Sequence, residues 1–141
     1  MTPDQVFSAV NLVALAGWVL LAVLPGRSWA NTIAAAVIPS LLAAVYTGIV
    51  AVQWGGSEGG FDSLEQVARL FANRWLLLAG WVHYLAFDLF LGSWEARDAR
   101  LHGIPHWLVL PCLLLTFLFG PAGWLLYMIV RAARGKTVAV A

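Results

Sequence analysis

Charge is scarce in this chain. Of 141 residues only 15 are charged, 8 Lys and Arg against 7 Asp and Glu, while 62% are hydrophobic and the mean hydropathy is +0.83. Soluble domains carry roughly 45–50% apolar residues, so a water-soluble fold of this composition would have to expose much of its apolar surface. That excludes a soluble enzyme and a disordered protein, and a net charge of +1 leaves no electrostatic footprint for nucleic acid. Cysteine is nearly absent. Cys112 alone can close no intramolecular disulfide and build no cysteine-rich metal site. The multi-histidine boxes of membrane di-iron oxygenases are missing too. Of the histidines only His83 lies within an apolar stretch, with His102 and His106 outside, so a haem held between two intramembrane histidines of one chain is disfavoured and no cofactor is expected. No Lys or Arg precedes Arg27, so the first apolar run reads as a retained helix rather than a signal peptide. There is no internal repeat.

Long apolar runs are what the chain does have. A membrane-spanning helix needs about 20 mostly apolar residues, and residues 6–24, 33–54, 75–94 and 107–130 qualify. Fourteen of the charges fall outside these spans; Asp88 alone falls inside. Trp29, Trp54, Trp75, Trp94 and Trp107 mark the span ends, as indoles settle at the headgroup level. Pro25-Gly26-Arg27-Ser28 is a tight turn, and Gly55 to Gly60 is a flexible run. Beyond it Leu64, Val67, Ala68 and Phe71 recur at helical spacing opposite Asp62, Glu65, Gln66 and Arg69. With Ser63 and Gln66 fitting a capping box, residues 62–73 form a short interfacial helix or a solvated helix on the bundle end. The expected fold is all-α: one integral membrane domain over residues 1–141, a bundle of four transmembrane helices with an interfacial helix between spans two and three. Four crossings put both termini on one side. Arg69, Arg74, Arg131, Arg134 and Lys136 against Arg27, Arg97 and Arg100 then favour cytoplasmic termini.

Titratable groups inside an apolar span are functional candidates, and the third span carries two. His83 and Asp88 are five residues apart, about 140° around the helix and about 7.5 Å along it, so they do not touch but can flank one cavity. The alternative is that each bonds a neighbouring helix and fixes packing, with Asn11, Tyr46, Thr47, Tyr84, Thr116 and Tyr127 as available partners. If the helix continues past Trp94, Asp88, Glu95, Asp98 and His102 fall within about 80° of one another. Such a stripe suits a divalent metal or, more plainly, mutual pairing of charges on an exposed helix end; no metal site is assigned. Pro39, Pro111 and the run Phe119-Gly120-Pro121-Ala122-Gly123 bend their helices, either opening a cavity or permitting close packing.

The block Gly80-Trp81-Val82-His83-Tyr84-Leu85-Ala86-Phe87-Asp88-Leu89-Phe90, then Gly92-Ser93-Trp94-Glu95 and Asp98, then Leu115-Thr116-Phe117-Leu118-Phe119-Gly120-Pro121-Ala122-Gly123, resembles the neoxanthin-synthase-like membrane family. The plant members are the abscisic-acid-deficient-four proteins of plastids. The resemblance implies a four-helix membrane protein of xanthophyll metabolism, possessing isomerase chemistry: an epoxide opens while a proton leaves the adjoining polyene carbon, with no net redox change. That chemistry needs an acid near the oxygen and a base near the departing proton. On the matching positions His83 and Asp88 are the implied catalytic pair, with Glu95 and Asp98 behind them and Trp81, Tyr84, Phe87, Thr116 and Pro121 lining the substrate. A carotenoid or other isoprenoid lipid is the expected partner, alongside membrane lipids. The short form and alanine-rich composition point to a bacterial inner membrane. The competing class is a non-catalytic pigment- or lipid-binding subunit of a larger membrane complex.

Overall fold

The computed structural model describes residues 1–134, and every regular element among them is helical. Helix α1 (Pro3–Val23) starts at Thr2, whose side chain accepts from the Gln5 N–H while the Gln5 side chain accepts from the Thr2 N–H, with Pro3 at the first helical position. Proline suits that position because its missing N–H would be unpaired there anyway. After the turn at Pro25 and Gly26 the chain forms α2 (Ser28–Thr32), a π-turn (Ile33–Val37) and α3 (Ile38–Gln53) as one continuous helical rod ending in a 3₁₀ turn at Trp54–Gly56. Pro39 explains the π-turn. It cannot donate to the carbonyl four residues back, and the rod widens so that Ile38 N–H donates to Ile33 O instead.

Ser63 caps α4 (Leu64–Ala72) by accepting from Gln66 N–H at 3.2 Å. This short helix is amphipathic: Leu70 is buried against α5, whereas Leu64 is open and Phe71 rests over Gly80 of α5. Asn73 then caps α5 (Arg74–Leu101) through Trp75 and Leu76 N–H. At 28 residues α5 is about 42 Å long and outruns a hydrocarbon layer of about 30 Å. It is the central element, contacting α1, α3, α4, α6 and α7, with Val82 and Leu89 at its middle fully buried.

Among the described residues three helical rods are long and apolar enough to cross a membrane, Pro3–Val23, Ser28–Gly56 and Arg74–Leu101. The expected fourth crossing over 107–130 is corrected. It is two helices of 14 residues, α6 (His106–Phe119) and α7 (Pro121–Arg134), that fold back on each other at Gly120. Helix α6 runs antiparallel to α5: Tyr84 of α5 bonds the Leu118 carbonyl, whereas Gly92 faces Leu113. Helix α7 runs parallel to α5, since Trp94 packs edge-on against Tyr127 and His102 meets Arg131. Each arm is about 21 Å long, half of α5. The pair is a re-entrant hairpin whose tip lies beside the midpoint of α5.

The reversal has a local cause. Gly120 takes φ +40° and ψ −94°, open to glycine and strained for other residues, and Pro121 cannot continue the α6 bonding pattern but starts a helix well. At Gly123 the two arms touch so closely that a Cβ would enter the Thr116 backbone. Pro111, by contrast, sits inside α6 without ending it.

The hairpin also separates residues 1 and 134, which four crossings would put on one side. Asp4 pairs with Arg74 at 2.7 Å at one end of α5, while Arg100 donates to Pro25 O and His106 donates to Ala22 O at the other. Residues 1 and 134 therefore lie at opposite ends of the bundle; Lys136 lies outside the described residues. Gly123→Leu is expected to force the arms apart and cost about 1–3 kcal/mol, read as a lower melting temperature in detergent. Gly48→Ala, where a Cβ meets nothing within 4 Å, should leave that temperature unchanged or raised.

Candidate functional site

The interior polar groups lie on one stripe of α5. Asp88, Glu95 and Asp98 all face α6 and α7 and are 9%, 0% and 8% exposed, as expected of positions sharing one helical face. Their degree of satisfaction falls steadily toward the hairpin tip.

Asp98 is fully engaged. Tyr127, itself completely buried, donates its hydroxyl to Asp98 Oδ2 at 2.5 Å. Arg131 Nε lies 2.8 Å from the same oxygen; its N–H is not aimed along that line, so the contact is an ion pair rather than an aligned hydrogen bond. His102 Nδ1 donates to the Asp98 carbonyl at 2.8 Å and sits 3.4 Å from its carboxylate, and Arg131 Nη2 donates to His102 Nε2 at 3.2 Å. The guanidinium thus occupies the place a metal ion would need beside this carboxylate and imidazole. No group of three or more metal-ligating side chains converges among the described residues. Asp98 is a lock that holds the far end of α7 to α5.

Glu95 is half engaged. Thr116 Oγ1 lies 3.0 and 3.1 Å from its two oxygens, but a hydroxyl has one proton and serves one oxygen at a time. Asp88 is the least satisfied. Its carboxyl lies against the hairpin turn, where a Cβ on Gly120 would stand 2.7 Å from Oδ1, and Oδ2 is buried with no hydrogen-bond partner among the described residues. It faces the N-terminal end of α7, the positive end of the helix dipole. One turn earlier on α5, the Tyr84 hydroxyl lies 3.2 and 3.0 Å from the Phe117 and Leu118 carbonyls, which α6 leaves unpaired at its C-terminal end.

His83 does not join this group. It is exposed on another face of α5, its ring 5.6 Å from that of Tyr46 and 4.8 Å from that of Phe87, and it lines a groove of about 340 Å³ with Tyr46, Trp54, Phe61, Phe71 and Gly80. Among the described residues His83 and Asp88 face different neighbours, Tyr46 of α3 and the turn at Gly120. The larger groove, about 510 Å³, lies between α1, α4 and α5, lined by Phe7, Phe71, Leu77, Leu78, Trp81 and Tyr84 with Asp4 and Arg74 at its rim. Trp81 donates to Asn11 Oδ1 at 3.1 Å beside it. Of the other residues expected to line substrate, Phe87 faces a third groove against Pro39 and Ser40. Thr116 is sealed against Glu95, and Pro121 sits exposed at the hairpin turn.

Two residues of this arrangement carried little signal in the sequence. Arg131 reads as part of a basic tail, and Gly120 reads as a kink. Thr116→Val should leave the buried Glu95 carboxyl without its only partner among the described residues and cost about 1–3 kcal/mol, with Thr116→Ser recovering most of the loss; thermal unfolding in detergent measures both.

No curated protein and no solved structure matches the chain. The family model of ABA DEFICIENT 4-like proteins matches residues 5–127, and the chain belongs to that family.

Proposed function

We propose that this protein is a membrane isomerase that moves protons on an oxygenated polyene of the carotenoid class, with Tyr84 and Asp88 as its acid–base dyad. Family membership connects the chain with carotenoid and xanthophyll metabolism. The observation that carries the finer reading is the position of Tyr84, which lines the larger groove and whose hydroxyl reaches the hairpin tip beside Asp88. A groove of about 510 Å³ falls within the range of small-molecule sites. Its aromatic and aliphatic walls accept one end of a long polyene whose remainder lies among lipid tails.

The chemistry needs no cofactor. The Tyr84 hydroxyl turns from the Leu118 carbonyl and passes its proton to the epoxide oxygen as the C–O bond breaks, and Asp88 in its acid form replaces that proton. The dyad, now one proton short, accepts the proton released from the adjoining polyene carbon, whose C–H electron pair becomes the new double bond. One proton is given and one recovered, so the product is an isomer and the dyad returns to its starting state. Asp98 and Glu95 act at a distance: the lock at Asp98 and the Thr116 bond of Glu95 position the hairpin that presents its tip to Asp88.

A second reading, a pigment-binding subunit without catalysis, is favoured by one observation: His83 and Phe87 face outward into separate grooves, as surfaces for lipid or partner helices would. Pigment profiling in a host that makes epoxy-carotenoids separates the two. Asp88→Asn and Tyr84→Phe should lower conversion by about 10²-fold or more at normal protein levels, with His83→Ala retaining most of it. Unchanged pigments in both dyad variants overturn the isomerase. Loss of a copurifying assembly, with conversion intact, supports the subunit.

A further inference from the structure

The re-entrant hairpin sorts the charges between the two ends of the bundle in a way that four crossings would not. At the end where α1 finishes and α5 finishes lie Arg27, Arg97, Arg100, Arg131 and Arg134. The acids nearest them, Glu95 and Asp98, are buried, and Arg131 is consumed by Asp98. Arg27, Arg97, Arg100 and Arg134 are exposed, and none forms a salt bridge among the described residues. At the other end Asp4, Glu58, Asp62 and Glu65 are exposed, against two arginines that are already paired: Arg69 with Glu65 at 2.5 Å and Arg74 with Asp4 at 2.7 Å. One end is an arginine collar without a paired acid among the described residues, Arg100 also donating to the Pro25 carbonyl, and the other end is net acidic. Basic residues close to span ends are retained on the cytoplasmic side, where the leaflet carries anionic lipid that attracts them.

We infer that the collar of Arg27, Arg97, Arg100 and Arg134 seats on the anionic phosphates of cytoplasmic-leaflet headgroups, fixing the chain with its N-terminus, α4 and the Asp4–Arg74 groove rim on the opposite side of the membrane. This reverses the expected side of the N-terminus. It stands whether or not the groove is catalytic. Three crossings and a hairpin carry the polypeptide across an odd number of times, and the groove of about 510 Å³ beside Asp4 and Arg74 then opens to the leaflet away from the cytoplasm. A ligand of that groove must be drawn from that leaflet.

Single cysteines read the arrangement directly. Gly26 and Gly56 are exposed, and a Cβ at either meets nothing within 4 Å, while Ala133 is exposed near the end of α7. In the full chain carrying Cys112→Ala, expressed in a bacterial inner membrane, Gly56→Cys should react with a membrane-impermeant maleimide in spheroplasts. Gly26→Cys and Ala133→Cys should be protected there and react only after permeabilisation. The opposite pattern overturns the placement of the collar. Gly56→Cys and Ala133→Cys reacting from the same side overturns the odd number of crossings. Replacing Arg27, Arg97 and Arg134 by alanine together should cause loss of protection at Gly26→Cys in part of the population; full retention of protection means the collar does not set the side.

Discussion

Broken helix in a bilayer must find its hydrogen bonds within protein, because hydrocarbon supplies none. The turn at Gly120 places such a break near the midpoint of α5, and the polar stripe of α5 is what makes it tolerable. Tyr84 donates into the carbonyls that α6 leaves open, Asp88 sits at the start of α7, Glu95 takes the Thr116 hydroxyl, and Asp98 fastens Tyr127 and Arg131. Stripe and hairpin require each other. A stripe of carboxyls facing lipid would be costly, and a hairpin tip facing lipid equally so.

The gradient along that stripe separates structure from chemistry. Breaking a buried ion pair leaves an uncompensated charge, so Asp98, held by a tyrosine, an arginine and a histidine, is committed to the fold. Asp88 has capacity to spare, and Tyr84, one turn before it on α5, lines the groove of about 510 Å³. The same sequence pattern therefore yields a fully partnered carboxylate at one end and a sparsely partnered one at the other, according to what the facing helix supplies at each level. His83 lies only five residues from Asp88, yet 140° of rotation sends it to a different neighbour, α3, with which it packs through Tyr46.

Much of the helix inventory was legible in the sequence. The apolar runs, the tryptophans at their ends, the Ser63 cap, the short helix after the glycine run and the shared face of Asp88, Glu95, Asp98 and His102 all depend on local chemistry or on helical period, which one chain displays. The fourth run was misjudged for a physical reason. Hydropathy over 107–130 measures compatibility with hydrocarbon, and both arms of a hairpin satisfy it as well as a single rod does. Only a long-range fact distinguishes them: Thr116, Gly120, Tyr127 and Arg131 find partners on α5 in an order that reverses direction. The partnership of Arg131 with Asp98 was hidden likewise, because an arginine at the end of an apolar run looks the same as a headgroup anchor. The misreading of the fourth run then carried into the expectation that both ends of the chain lie together, whereas residues 1 and 134 stand at opposite ends of the bundle.

The depth of the dyad restricts what can react there. Tyr84 lies ten residues from Arg74, about 15 Å along α5, so a reacting oxygen must leave the headgroup region and enter the hydrocarbon. A hydroxyl or carboxyl brought to that depth needs its own donors and acceptors matched, at a cost of several kcal/mol if they are not. An epoxide oxygen has nothing to donate and asks for one donor, which Tyr84 supplies. Conjugated hydrocarbon beside it is at home among Phe7, Phe71 and Trp81. Under the proposed isomerase reading, a weakly polar oxygen on a polyene is thus the substrate chemistry that this groove would accommodate at least expense, because its low demand for hydrogen bonds suits a Tyr84–Asp88 dyad at that depth.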